Sequence, residues 1–144
     1  SASIATSQLK RLKKMIKIRK YNRDIIIKYL KNSPKWDDQF TFFESSKHLK
    51  PSWFSIPLLI NKKYLKYKRI FLKRLEKNKV ETRPIISGNF INQPAIKLHK
   101  FRFKKKNFRN SQEIEDRGFF IGLPTKKIKL QDIKRLTNYL LDLQ

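Results

Sequence analysis

At 144 residues the chain has the length of one domain, and 39% apolar residues, with Ile and Leu along its whole extent, are too many for a disordered polyelectrolyte. A formal net charge of +25, from 36 Lys and Arg against 11 Asp and Glu, signals nucleic acid or acidic membranes when it gathers on one face, but here the cations run from Lys10 to Lys134 and only residues 97–110 are dense. With no cysteine there is no disulfide framework, thiolate metal site or cysteine nucleophile, and the longest apolar runs, Ile25–Ile27 and Ile56–Ile60, fall far short of the roughly 20 residues that span a bilayer, so a cytoplasmic protein that crosses no membrane is expected.

The opening SASIATSQLK has no initiator Met, no charged n-region and no apolar h-region, and is expected to be a cut into something longer. From Ala5 to Leu30 the apolar positions Ala5, Leu9, Leu12, Ile16, Ile26, Ile27 and Leu30 follow a three-four spacing with cations between them, which predicts one long amphipathic helix. Asn32, Ser33 and Pro34 end it, because Asn and Ser favour turns and Pro disfavours helix at the residue before it. Lys35–Pro51 is expected to be a connection or edge strand. Trp53–Ile60 suits a strand, with Pro57 implying an edge or a bulge. Tyr64, Tyr67, Phe71, Leu72 and Leu75 mark a second helix, Val80–Ile86 a strand, and Phe119–Ile121 another. Ile133, Leu136, Leu140 and Leu143 mark a final helix, poorly capped because Lys129 stands where Ser or Thr would serve. The order predicts an α+β fold: a long N-terminal helix, then a small antiparallel or mixed sheet with helices on one face and the other face uncovered unless another domain supplies a cover.

The most unusual segment is TRPIISGNFINQP, Thr82–Pro94. Arg83 leaves the strand, Ser87, Gly88 and Asn89 turn, and Asn92 and Gln93 precede Pro94. Gly permits a positive φ, and Arg, Asn and Gln offer planar donors suited to phosphate or sugar hydroxyls; an ordinary strand-end loop is the competing reading. The run KLHKFRFKKKNFRN, Lys97–Asn110, interleaves cations with Phe101, Phe103 and Phe108, as in surfaces that stack bases and track phosphates, though charge runs are more often solvated loops. His48 and His99 lack metal-site neighbours, Asp37 and Asp38 point apart as adjacent residues do, and no Walker loop, nucleophile elbow or dinucleotide fingerprint is present.

Four pieces in order resemble the DegT/DnrJ/StrS family of PLP-dependent aminotransferases and dehydratases acting on nucleotide-linked keto sugars: the helix SASIATSQLKRLKKMIKIRKYNRDIIIKYL, the strand PSWFSIPLLI, VETRPIISGNFINQP, and IEDRGFFIGLP leading into the last helix. The resemblance implies the small C-terminal domain of a fold-type I enzyme, with residues 1–32 as a long interdomain helix and 33–144 as the small α+β domain. It also implies a missing N-terminal domain that binds most of the pyridoxal 5'-phosphate, homodimeric assembly, a nucleotide-sugar substrate, and a role in surface-polysaccharide or lipopolysaccharide sugars. In aminotransferase members a lysine carries the cofactor and in the dehydratase branch a histidine replaces it; neither position is present, so the chain alone is expected to be inactive. By the same resemblance Arg83 faces the substrate side of the cleft, and Asn89 sits where the loop reaches sugar or cofactor. Gly88 and Asn89 stand where many aminotransferases carry a PLH-like histidine, which resembles the dehydratase and lipopolysaccharide-sugar members. Residues Lys104–Lys106 would steer the substrate diphosphate. The alternative is a small basic RNA- or DNA-binding protein.

Overall fold

A computed structural model describes residues 2–99 and 101–144. Helix α1 spans Ala2–Lys31, within three residues of the apolar periodicity at its start and one at its end. Its exit is built as the sequence predicts: Asn32 N–H donates to Lys28 O (3.0 Å), Ser33 N–H to Leu30 O (3.2 Å), and Ser33 Oγ accepts from Lys35 N–H (3.3 Å). Lys28 and Lys31 in the last turn offset the partial negative charge of the helix end. Only the later turns enter the core, through the fully buried Ile26 and Leu30, whereas Ile4 and Leu9 stand 70% and 66% exposed. Asn22 is buried and clasps a distant segment: its Nδ2 donates to Pro124 O (3.1 Å) and Lys126 O (2.8 Å), and its Oδ1 accepts from Ile128 N–H (3.2 Å).

The sheet has four strands in the order β1-β2-β4-β3, every neighbouring pair antiparallel: β1 Phe40–Phe42, β2 Ser55–Ile60, β3 Thr82–Arg83 and β4 Gly118–Gly122. The expectation that Pro57 marks an edge strand or a bulge needs correction, because β2 lies inside the sheet. Leu123 N–H donates to Phe54 O (2.9 Å), so in the β2–β4 register the hydrogen-bonded pairs fall on even positions of β2. The nitrogen of Pro57 therefore faces the β1 side, and β1 stops at Phe42 opposite Leu58, one position before a partner would need the missing N–H. The strand expected over Val80–Ile86 shrinks to Thr82–Arg83, cut off by Pro84, which has no N–H to donate. Between β3 and β4, where the apolar spacing marks no element, the chain forms short 3-10 turns and a helix, α3, at Arg109–Arg117.

Alternation along β2 and β4 places Ile56, Leu58, Ile60, Phe119 and Ile121 on one face, all buried in one cluster with Phe71 and Leu75 of α2 (Lys68–Lys77) and Ile133 and Leu140 of α4 (Leu130–Leu141). Phe40, Phe71 and Phe119 meet pairwise with ring centroids 6.0–6.1 Å apart, at tilted to edge-on angles, which fixes α2 against the sheet. Asn61 caps the turn Lys62–Tyr67 that leads into α2, its side chain accepting from Lys63 N–H (3.2 Å). Beside it Asp37 takes Lys63 Nζ at 2.7 Å and the Tyr64 hydroxyl; the lysine first, then the tyrosine, hold its carboxyl below the usual range. Helix α4 begins, as its sequence implies, without a side-chain cap at Lys129. The opposite face carries Pro57, Phe120 and Arg83, with Phe54 beside them, and none of α1, α2 or α4 covers it.

Candidate functional site

Pairing of Arg83 with Phe120 puts the guanidinium stem on the open face of the sheet, next to a ring that Phe54 meets edge-on (5.6 Å, 79°). These residues, with Glu81, Ile86 and Ser87, line a groove of ≈ 610 Å³, and a second hollow of ≈ 340 Å³ adjoins it under Trp53, Pro57 and Ile85. A floor of aromatic and aliphatic surface with one forked cation at its rim suits a ligand that is partly ring and partly anion. Nε and Nη2 of Arg83 donate to the same oxygen of Glu81 (2.8 and 2.6 Å), and Nη1 has no partner among the described residues. Both side chains are largely exposed, 67% and 74%, and an ion pair so hydrated is worth about 0–1 kcal/mol, so a phosphate or carboxylate oxygen displaces Glu81 readily.

Asn89 lies in the same loop but turns the other way. It is buried, its N–H donating to Glu115 Oε2 (2.8 Å) and its Nδ2 to Gln112 Oε1 (3.0 Å). Asn92 Nδ2 shares both acceptors (2.9 Å each), and Gln93 Nε2 returns to Ser87 O (3.0 Å). The loop thus hangs on two side chains of α3, and Asn89 Oδ1 is left buried with no partner. Arg83, expected on the substrate side of the cleft, and Asn89, expected where the loop reaches sugar or cofactor, stand on the groove and on the loop's inner side respectively. Gln112 and Glu115 were missed because nothing local in SQEIED links them to residues more than twenty positions away. Lys68 fixes the end of α3 by donating to Asp116 O (2.6 Å) and Glu115 O (3.3 Å), and burial pushes its pKa down despite the nearby acids.

Ser87 and Gly88 both have left-handed φ, 65° and 49°, and a Cβ on Gly88 would lie 2.9 Å from Glu115 Cγ. Gly88→Ala therefore combines left-handed backbone strain with displacement of the carboxylate that holds Asn89 and Asn92. A loss of roughly 1–2 kcal/mol in urea unfolding is expected, with faster hydrogen exchange at the Asn89 amide as the local sign.

The described residues of the basic run 97–110 are exposed apart from the half-buried Phe108, but the rings pair edge to face, His99 with Phe101 (5.6 Å, 62°) and Phe103 with Phe108 (6.0 Å, 86°), instead of standing parallel as platforms for bases. Among the described residues no three His, Asp or Glu side chains converge as metal ligands. A pyridoxal phosphate site needs a sequestered lysine or its substitute, an acidic or basic partner for the ring nitrogen and a phosphate cup. The described lysines are exposed except Lys68, and its ammonium is spent on the carbonyls at the end of α3. The described residues of this chain do not form such a site.

Comparison with known proteins gives a consistent result. The model of the DegT/DnrJ/EryC1/StrS aminotransferase family matches residues 1–140. A GDP-4-keto-6-deoxy-D-mannose 3-dehydratase of Escherichia coli O55:H7 is 27% identical over 122 residues, covering 85% of this chain and 30% of that protein. The Yersinia pseudotuberculosis protein of the same description is 29% identical over 142 residues, covering 97% and 34%. Among solved structures, the E. coli dehydratase with bound hydrated PLP superimposes with a TM-score of 0.79 at 24% identity, over 95% of this chain and 33% of that one. A sugar aminotransferase from Streptococcus pneumoniae in its PMP form gives 0.80 at 14% identity, over 99% and 34%. The chain spans about a third of the length of the curated relatives it matches.

Proposed function

Because the chain belongs to the DegT/DnrJ/EryC1/StrS aminotransferase family, we propose that it serves as the small substrate-facing domain of a PLP-dependent enzyme acting on a nucleotide-linked keto sugar. The observation that carries this reading is the open sheet face, where Arg83, paired only with the exposed Glu81 among the described residues, stands at the rim of an aromatic groove while the opposite face is filled by helices. Arg83 offers a fork for a phosphate or sugar oxygen, Phe54 and Phe120 offer apolar surface, and Asn89 acts through position, holding the Ser87–Asn92 loop on α3 so that the groove keeps its shape. Of the two reactions, 3-dehydration of a GDP-linked 4-keto-6-deoxy sugar has the support of the curated relatives, which carry that name. A role in lipopolysaccharide sugars is supported by a Salmonella typhimurium relative described as a lipopolysaccharide biosynthesis protein. The groups that hold and use the cofactor lie outside these residues, and no step of the reaction is assigned to this chain. Homodimeric assembly and a cytoplasmic setting belong to the same proposal, and light scattering and cell fractionation of the complete protein check them.

The test is complementation. The chain alone, titrated with pyridoxal phosphate, is expected to retain none after gel filtration and to leave GDP-4-keto-6-deoxy-D-mannose unchanged. Combined with a polypeptide supplying the remaining two-thirds of a relative, it is expected to restore cofactor absorbance and consumption of that sugar. Stoichiometric cofactor on the chain alone, or a complemented enzyme that binds cofactor and ignores every nucleotide-linked keto sugar offered, would overturn the reading.

A further inference from the structure

The stripe of α1 that reaches the core at Ile26 and Leu30 continues toward the N-terminus as Arg23 and Arg19, at spacings of three and then four residues, so two arginines take the place of apolar residues at the point where the helix leaves the core. Both guanidinium groups have a buried Nε without a partner. Arg23 is held firmly: its side chain is only 12% exposed, its Nη2 donates to Phe43 O (2.6 Å), and its plane lies 4.4 Å from the centroid of Trp53. The nearest acid, Asp24, reaches Arg23 Nη1 only at 3.3 Å and gives its other oxygen to Lys20 at 2.8 Å. Arg19 has no acidic partner among the described residues. Sequestered cations of this kind are stable where an anion completes them, and residues one turn apart sit about 5–6 Å apart at Cβ, a span that one carboxylate or phosphate group bridges.

We propose that Arg19 and Arg23, backed by Trp53, form a binding site for one oxyanion, a phosphate or a carboxylate. Neither arginine lines the Arg83 groove, although Trp53 also borders the hollow beside it, and the proposal does not depend on the enzymatic reading above. Lysines would serve it poorly. The planar fork of Arg fits an oxyanion as an ammonium does not, the ring of Trp53 supports the Arg23 cation from the side, and the unpartnered Nε of both residues supplies the donors that stand idle in the present arrangement.

The experiment uses the whole chain, ¹⁵N-labelled, with the arginine Nε–H signals followed during titration with inorganic phosphate and, separately, with succinate, at constant ionic strength against chloride. Saturable shifts at Arg19 and Arg23, with the exposed Arg102 and Arg135 unmoved, are expected, and Arg19→Gln should weaken the binding by about tenfold or more. Saturation by phosphate alone assigns a phosphate-bearing ligand, and saturation by succinate assigns a carboxylate such as an acidic side chain of a partner polypeptide. Saturation by neither overturns the proposal. A second variant guards against misfolding: Arg19→Met removes the unpaired charge, so in chloride its melting point should equal or exceed that of the parent, and phosphate should raise the parent's melting point and not the variant's. A variant that melts lower by the same margin in both buffers would show that Arg19 is merely structural.

Discussion

Asn22→Ala is expected to lower the unfolding free energy by about 3 kcal/mol or more, a large share of the 5–15 kcal/mol typical of a domain. The side chain is completely buried and makes three hydrogen bonds to backbone groups more than a hundred residues away, at Pro124, Lys126 and Ile128. Removing it takes the partner from two carbonyls and one N–H in the part-buried seam between α1 and the segment joining β4 to α4 and empties a fully buried site; an unsatisfied group shut off from water costs roughly 1–3 kcal/mol. Asn22→Asp separates shape from donor chemistry. It keeps the volume and the acceptor for Ile128 N–H but turns a carboxylate oxygen toward two carbonyls, so it should destabilise at least as much as alanine. The exposed Asn138→Ala should stay within about 0.5 kcal/mol. Urea denaturation followed by circular dichroism measures all three, and a loss below about 1 kcal/mol for Asn22→Ala would mean that water takes over the clasp.

That clasp also marks the limit of what the amino-acid order disclosed. Elements whose apolar residues face one core were legible: α1 ends where Asn32, Ser33 and Pro34 say it should, β4 occupies the aromatic run between Gly118 and Gly122, and α4 follows its three-four spacing. Elements held by polar contacts from elsewhere were not. Helix α3 carries Ile114 as its one aliphatic residue, so it has no stripe to detect; its place depends on Lys68 at one end and on the loop amides that Gln112 and Glu115 bind. Pro57 was misjudged for a related reason: a proline inside a sheet is tolerated when the neighbouring strand stops short, and the length of β1 is set by its own exit at Phe43, not by anything near Pro57. At the site, the planar donor of Arg83 was legible from residue type, whereas its place at the rim of an aromatic groove follows from its pairing with Phe120 across the sheet. Asn89 has the same kind of local signal, yet its direction is decided by acceptors on α3, and only the folded chain brings those into range.

Arg83→Gln in the complete enzyme is expected to reduce kcat/KM for the nucleotide-linked sugar by roughly tenfold to a hundredfold, the equivalent of one or two charge-assisted hydrogen bonds of about 1.5–3 kcal/mol in all. Most of the loss should appear in KM, because Arg83 sits at the rim of the groove, where the proposed contact is with the part of the substrate that does not react. Stability should barely change, since the interaction lost among the described residues is an exposed pair with Glu81. Arg83→Lys tests the fork itself: it restores the charge without the planar pair of donors, so about tenfold impairment should persist. Glu81→Gln moves the other way. Freed of a competing carboxylate, Arg83 should bind substrate up to about fivefold more tightly, the most that a hydrated ion pair of 0–1 kcal/mol can withhold. A shift smaller than about threefold for Arg83→Gln, with the fold intact, would place the substrate on other residues of the open face. An equal fall for all three substitutions would instead make the Arg83–Glu81 pair a structural brace, a role for which its exposure of two-thirds or more leaves little physical room.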